Sequence, residues 1–347
     1  MATETSRNLR FLVTGGAGFI GSHLCARLLD GGHSVAVLDN LSTGRAENLT
    51  PFEGNPNFKF THADIANDFV LEQLASEADY IFHLAAAVGV KLIVDEPLQT
   101  IESNILGTDK VLRAATECKC RVLMASSSEV YGKNARVPFQ EEDDVLLGAT
   151  TKSRWSYAVS KMAGEFMAFA YQKQFGLDAT ICRFFNTVGA GQSGQYGMVV
   201  PRFVAQALAG KPITVYGPGS QSRTFCDVRD VVEALVGLAR HPDAGGRVYN
   251  IGGKREISIQ QLAEKIKAMT GSDSEIVNVP YDEAYEPGFE DIGRRISDTT
   301  RLRELTGWSP QWTLEDTLGS VIEFERKRLA QSEQTDAARD IRAASGD

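Results

Sequence analysis

Tyr157 and Lys161 stand four residues apart in Trp155-Ser-Tyr-Ala-Val-Ser-Lys161, at the head of a strongly helical stretch. That spacing places phenol and ammonium on one helix face. A cation beside a phenol stabilises phenolate and is expected to draw the Tyr157 pKa down from about 10 toward a range useful for proton transfer. Taken alone the pair could be surface packing. The serine-rich segment Ala125-Ser-Ser-Ser-Glu-Val-Tyr-Gly132 gives it a setting, because it closes an apolar run that reads as a strand. Strand ends in open α/β sheets face the ligand crevice.

A second cluster lies at the start of the chain. Phe11-Leu-Val-Thr-Gly-Gly-Ala-Gly-Phe-Ile-Gly21 joins an apolar run to a helical one. Gly15, Gly18 and Gly21 permit a tight turn, close approach of a pyrophosphate and close helix–strand packing, with Phe19 and Ile20 opening the helix. The free N–H groups of that helix are available to phosphate. Asp39, with Asn40 beside it, ends the next apolar run at about the 20-residue distance expected of a ribose-binding acid. A carboxylate there accepts from both ribose hydroxyls and repels a 2′-phosphate, which selects NAD over NADP.

These residues need a scaffold, and the hydrophobic pattern describes one. Leu9–Thr14, Ser34–Leu38, Phe58–His62, Tyr80–Leu84, Arg121–Ser126 and Ala179–Phe184 read as strands. Gly21–Asp30, Ile101–Ala115 and Tyr157–Phe175 read as helices between them. The alternation predicts an α/β fold, a Rossmann doubly wound parallel sheet, over residues 1–186. Residues 187–330 read mainly as a smaller C-terminal substrate-binding lobe with helices at Val199–Ala209, Val228–Arg240 and Ile259–Thr270. Arg247–Ile251 is expected to return to the sheet, and 331–347 reads as a flexible tail.

Composition narrows the field. The 347 residues carry a formal net charge of −9, which disfavours a nucleic-acid sheath. No apolar run approaches the roughly 20 residues of a membrane span, and no leader peptide is visible, so a soluble cytoplasmic protein is expected. Cys25, Cys118, Cys120, Cys182 and Cys226 show no zinc spacing; they read as reduced thiols, and no metal is expected.

The glycine turn, Asp64-Ile65, His83-Leu-Ala-Ala-Ala87, Asn104, the serine segment, Tyr157/Lys161 and Arg183-Phe-Phe-Asn186 together resemble the extended short-chain dehydrogenase/reductases, in their nucleotide-sugar branch, from about Leu9 to Phe324. The resemblance implies NAD as cofactor, with Asp64 and Ile65 at the adenine and Leu84, Ala85 and Ala86 along the adenosine and pyrophosphate. It places Asn104 and Ser126 along the nicotinamide half, Lys161 on the ribose hydroxyls, and Ser128 on the sugar hydroxyl that Tyr157 deprotonates. Ile65 could equally be core, and Ser126 and Ser128 could simply end the strand. For the UDP-sugar the resemblance points to Asn186, Val200, Arg202, Tyr216, Gln221, Arg223 and Arg295, although Val200 and Arg202 could also be a core residue and a solvated cation.

Ser128-Glu-Val-Tyr-Gly132 resembles the UDP-glucuronate decarboxylases, and Arg223 matches a catalytic arginine of the decarboxylase of bacterial aminoarabinose synthesis. The implied reaction is oxidation at C4 of UDP-glucuronate, loss of the C5 carboxylate as CO2 from the resulting β-keto acid, and re-reduction to UDP-xylose, with Glu129 managing protonation at C5. Glu129 could instead be a solvated loop carboxylate. A UDP-sugar 4-epimerase is the alternative, and a non-catalytic NAD-binding sensor the remote one. Gly189-Ala-Gly-Gln192 replaces the Gly-Pro-Arg frequent in relatives, so one substrate-loop cation is missing, while Lys91 could serve carboxylate, cofactor or surface. Relatives pair the helices matching Ile101–Ala115 and Tyr157–Phe175, so a homodimer is expected.

Overall fold

Five apolar runs in the first half of the chain and two in the second form a single parallel sheet. The computed structural model describes residues 8–88, 97–194, 198–284 and 290–345, the stretch from 332 as backbone only. The strands are β1 (Arg10–Thr14), β2 (Ser34–Asp39), β3 (Phe58–His62), β4 (Tyr80–His83), β5 (Arg121–Ser127), β6 (Ala179–Phe184) and β7 (Arg247–Ile251). Their order is β7-β6-β5-β4-β1-β2-β3. The direction of winding reverses between β1 and β4, where Leu12 pairs with Ala36 on one side and Ile81 on the other. That switch point is where an open α/β sheet leaves its crevice.

Burial on both faces explains why these strands read as nearly continuous apolar runs. Phe11, Val13, Val35, Val37, Phe82, Leu123 and Tyr249 pack with α1 (Phe19–Asp30) on one face. Leu12, Leu38, Ile81, Val122, Met124 and Ile181 face the opposite way. They meet α2 (Asp68–Ser76), α3 (Pro97–Cys118) and α4 (Trp155–Phe175). Pro97 opens α3, a position where its missing N–H costs nothing. Gly176 closes α4 in the left-handed conformation.

The smaller lobe has its own core, with Phe203, Val204, Ile213, Val215, Leu262, Ile266 and Leu318 all fully buried. It is built from α5 (Val199–Leu208), two short parallel strands at Ile213–Tyr216 and Ile276–Val279, and α7 (Ile259–Thr270). Ser258 and Gln261 form a reciprocal cap at the start of α7. A three-stranded sheet joins Ser222–Thr224 to Glu256–Ser258 and Arg294–Arg295. Two elements differ from their sequence reading. The helix Val228–Arg240 (α6), assigned to the smaller lobe, packs instead on α1, and its Val231, Leu235 and Leu238 belong to the core of the nucleotide half. Its amphipathic pattern shows that one face is buried but not against what. After α8 (Thr300–Thr306), the closing helix α9 runs from Leu314 to Ser345, across most of the stretch read as a tail.

Leu12 sits in the middle of the central strand and is wholly buried. Leu12→Ala is expected to lower stability by about 2–5 kcal/mol, the range for emptying such a site, read as a fall in the denaturant midpoint of unfolding. A change under about 0.5 kcal/mol would contradict this packing.

Candidate active site

One cleft of about 850 Å³ runs from the glycine turn across the C-terminal ends of the central strands to the smaller lobe. Every site residue inferred from sequence lines it except Asn104. Lys91 lies outside the described residues.

At the nucleotide end, Gly15 adopts φ +75, and a Cβ there would come 2.6 Å from the Ala85 nitrogen. A Cβ on Gly21 would collide with the Gly15 carbonyl. The first turn of α1 has no side-chain cap, which leaves its N–H groups to a ligand. Asp39 accepts from the Ala17 N–H at 2.9 Å and the Leu41 N–H at 2.8 Å, so it holds the glycine turn as well as facing the cleft. Burial raises its pKa, while the Leu41 and Ala17 hydrogen bonds oppose the rise. Asn40 donates to Asp64 at 2.6 Å, fixing the acid at the far edge. Ile65 answers both of its readings, since it lines the cleft and packs against the core of α3 at Gly107. A cradle that only glycine backbone can form, beside a fixed carboxylate, fits an adenine dinucleotide.

Asn104 does other work. Its side chain accepts from the Ala87 N–H at 2.9 Å and donates to the Ala87 carbonyl at 3.2 Å and to Ser160 Oγ at 3.1 Å. It therefore braces the wall from behind. Ser126 reaches the wall but spends its hydroxyl on Glu165 at 2.5 Å.

The hydroxyl that meets Tyr157 is Ser127, not Ser128. Ser127 also caps the following turn by accepting from the Glu129 N–H at 3.2 Å. Ser128 Oγ is buried and has no hydrogen-bond partner among the described residues. Lys161 donates to the Ala125 carbonyl at 3.0 Å, with Nζ 6.0 Å from the centre of the Tyr157 ring. Burial lowers its pKa to about 8, against the pull of Glu165. The expected depression of the Tyr157 pKa is not found: burial, and next the charge of Glu129, push the phenol up, and the Ser127 hydrogen bond only partly offsets them.

At the other end of the cleft, Glu129 Oε1 accepts from Arg295 at 2.5 Å and Oε2 from Arg154 at 3.0 Å. Burial works against its charge, yet Arg154, Arg295 and Arg223 together hold its pKa below the usual carboxylate range. Glu129 is thus neither solvated nor neutral. Arg295 also donates to Asn186 at 3.1 Å. Arg223 donates from Nη2 to both carboxylate oxygens of Asp291 at 2.9 and 3.0 Å, and Tyr281 donates to the same carboxylate at 3.0 Å. Burial, and then the neighbouring Arg295, lower the Arg223 pKa to about 10. Deeper in the lobe the Arg202 guanidinium lies 3.7 Å from the centre of the Tyr216 ring. Its Nε and Nη1 are buried with no partner among the described residues, so it is not a solvated cation. Gln221 donates to the Tyr216 carbonyl at 2.8 Å and leaves its own carbonyl oxygen without a partner among those residues. Val200 belongs to the lobe core and touches the cleft only at its edge.

Ser127, Arg154 and Asp291 were not singled out from the sequence. Arg154 carried a usable signal, since three residues before Tyr157 is the same side of a helix. Ser127 was one of three adjacent serines. Asp291 sits in a loop with no periodicity to read.

Residues 11–252 match the model of the NAD dependent epimerase/dehydratase family, and the chain belongs to that family. Its cofactor is NAD. It is 41% identical to the UDP-N-acetyl-alpha-D-glucosaminuronate decarboxylase of Bacillus cytotoxicus, over 92% of this chain and 98% of that one. It is 38% identical to UDP-glucuronic acid decarboxylase 1 of Xenopus tropicalis, over 92% of this chain and 73% of the relative. Among solved structures, the UDP-glucuronic acid 4-epimerase of Bacillus cereus in complex with UDP-glucuronic acid and NAD superposes with a TM-score of 0.83 at 28% identity, covering 92% of this chain and 99% of that one.

Asp39→Asn is expected to weaken NAD about tenfold or more, the order for losing a charged hydrogen-bond acceptor, and to narrow the preference over NADP. Titration by quenching of intrinsic fluorescence reads both constants. An unchanged NAD-to-NADP ratio would show that Asp39 does not select the cofactor.

Proposed function

We propose that the chain is an NAD-dependent decarboxylase of UDP-hexuronic acids, converting UDP-glucuronate to UDP-xylose. The observation that carries this reading is the sugar end of the cleft, where Arg154, Arg223 and Arg295 face the two carboxylates of Glu129 and Asp291. Three guanidiniums against two carboxylates leave one positive charge for an acidic sugar. The decarboxylase names of the two relatives above support it. The Bacillus cytotoxicus relative adds UDP-N-acetylglucosaminuronate as a second substrate to test, differing at C2 and not at the reacting carbons.

Tyr157 takes the C4 hydroxyl proton, with Ser127 donating or accepting at the same oxygen. Bound along the glycine turn and Asp39, NAD would supply the hydride acceptor and donor for C4. The 4-keto group makes the sugar a β-keto acid, so the C5–carboxylate bond breaks, CO2 leaves and the electron pair is delocalised onto the C4 oxygen, where the phenol of Tyr157 can donate. C5 then takes one proton from water as the enol proton returns to Tyr157, restoring the 4-ketone. Glu129, held ionised, acts as a fixed negative charge beside C5 and as an acceptor, not as the initial proton donor. Arg202, Tyr216 and Gln221 are assigned to the uridine diphosphate, an aromatic face and a desolvated guanidinium being apt for base and diphosphate.

A 4-epimerase is the second reading, favoured by the close superposition on the Bacillus cereus enzyme. Incubation with each UDP-hexuronate and mass spectrometry separates the two: a product lighter by CO2 supports the decarboxylase, and an isomer of equal mass overturns it. Unchanged substrate would also overturn it.

Assembly as a homodimer and a cytoplasmic location complete the proposal. α3 and α4 lie together and leave apolar side chains in water, Phe166 at 69% and Leu106 at 57% exposure, more than one sheet face requires. All five cysteines are free, four of them buried, in keeping with a reducing compartment. No described helix is long and apolar enough to cross a membrane.

Two outcomes follow for the chemistry and one for assembly. Tyr157→Phe should abolish both keto sugar and pentose, whereas Glu129→Gln should still form up to one equivalent of 4-keto sugar per site while pentose formation falls about 10²–10⁴-fold, the order for losing one positioned acid–base group. Quenched-flow mass spectrometry distinguishes them, and native-rate pentose from Glu129→Gln would remove Glu129 from the mechanism. Phe166→Glu should shift the sedimentation mass at micromolar concentration from dimer to monomer; a monomeric native protein would refute the assembly.

A further inference from the structure

One turn beyond Lys161 on α4 stands Glu165, buried at 5% exposure, so Tyr157, Lys161 and Glu165 form a ladder at four-residue spacing. The Glu165 carboxylate accepts from Ser126 Oγ at 2.5 Å and from Arg183 at 2.9 and 2.6 Å. Arg183 also donates to the Glu141 carbonyl at 3.0 Å and lies 4.8 Å from the centre of the Tyr131 ring. Lys161, one turn earlier, donates to the carbonyl of Ala125. Consecutive turns of α4 therefore grip consecutive residues at the end of β5.

A buried ammonium is stable only with a counter-charge or dense hydrogen bonding. The groups around Lys161 can be taken element by element. β5 offers a neutral carbonyl. β4 offers His83, which burial keeps neutral with a pKa pushed down to about 3 and which is bonded to Thr14 at 2.8 Å and Thr108 at 3.1 Å. β6 offers the Arg183 cation, itself paired with the Glu165 carboxylate. Glu129, beyond the phenol, is committed to Arg154 and Arg295. On its own helix Lys161 has the neutral phenol of Tyr157 and the anion of Glu165.

We propose that Glu165 is a positioning residue of the active site, the anion that keeps Lys161 in its ammonium form while pinning Ser126 at the strand end beside Ser127. The inference rests on reading Lys161 as an active-site group. Burial draws Lys161 to about 8, and Glu165 is what opposes a further fall. With its midpoint drawn down to about 8, the ammonium predominates below that pH and is lost as pH rises through it. Removing Glu165 carries that loss down toward neutrality. Removing Arg183 leaves the carboxylate to Lys161 and moves the loss upward.

The test is a pH titration of the full, cofactor-free chain labelled with ε-¹³C lysine, the Lys161 resonance being the one absent from Lys161→Met. Glu165→Gln should lower the Lys161 midpoint by about a unit, a tenfold loss of proton affinity, and Arg183→Met should raise it. The alkaline limb of turnover should move with each. A midpoint that stays fixed in both variants, with turnover merely reduced, would make Glu165 a structural group and overturn the proposal. If Glu165→Gln fails to fold, an Arg183→Met midpoint that does not rise overturns it equally. The resonance reports Lys161 whatever sugar is turned over, so failure of the decarboxylase reading and failure of this inference are separate results.

Discussion

The Glu129 carboxylate, held between Arg154 and Arg295, ties together three segments that lie far apart in the sequence. Glu129 follows the end of β5, Arg154 immediately precedes α4, and Arg295 lies in the short strand pairing with Ser222–Thr224 of the smaller lobe. A buried ion pair contributes little net stability when compared with an apolar replacement. Stranding one of its partners is costly, on the order of 3–5 kcal/mol. The three segments are thereby held to one arrangement, and the cleft between sheet and lobe acquires a defined sugar end. The Arg223–Asp291 pair extends the network to the loop before Arg295, with Arg154 3.9 Å from the same carboxylate.

The same burial that fixes the network decides the proton chemistry. Tyr157 and Lys161 are both removed from water, and burial disfavours the charged form of each, raising the phenol and lowering the ammonium. The two shifts move the groups' proton affinities apart, so that the phenol holds its proton more tightly and the ammonium less. A phenol above its ordinary value cannot hold phenolate at rest in this cleft; it gives up its proton only as another charge or hydrogen bond compensates. Ser127 supplies part of that compensation, and Glu129 opposes it. Proton transfer is thus tied to what the cleft contains.

What could be read from the chain follows how local each signal is. The strands Phe58–His62, Ala179–Phe184 and Arg247–Ile251 and the helices Val228–Arg240 and Ile259–Thr270 have the limits that their apolar periodicity describes. The glycine turn and Asp39 were legible because turn geometry and ribose reach are set over a few residues. Signals that depend on the far side of a contact were not. Periodicity gave α6 a buried face without saying that α1 covers it. Asn104 matched a pattern but turns toward Ala87 and Ser160. Three adjacent serines left the partner of Tyr157 undetermined until the end of β5 had a direction. Asp291 acquires meaning only through Arg223, 68 residues away.

The charge distribution sets how an anionic substrate is held. The chain carries a net charge of −9, so a nucleotide sugar meets repulsion, not steering, from the molecule as a whole. Salt at physiological strength screens that field beyond about 8 Å. Inside the cleft the order reverses: Arg202 has buried donors without partners among the described residues, and Arg154, Arg223 and Arg295 outnumber Glu129 and Asp291. Arg202 can receive a phosphate oxygen without breaking an existing ion pair. Arg223 and Arg295 cannot, since each already serves a carboxylate. A second acidic group at the sugar end must therefore share or displace Asp291 or Glu129, and a neutral hexose offers nothing in exchange. For the acidic nucleotide sugar proposed as substrate, affinity at one end and a charge requirement at the other make the acidity of the sugar, more than the nucleotide, the property on which this cleft can discriminate.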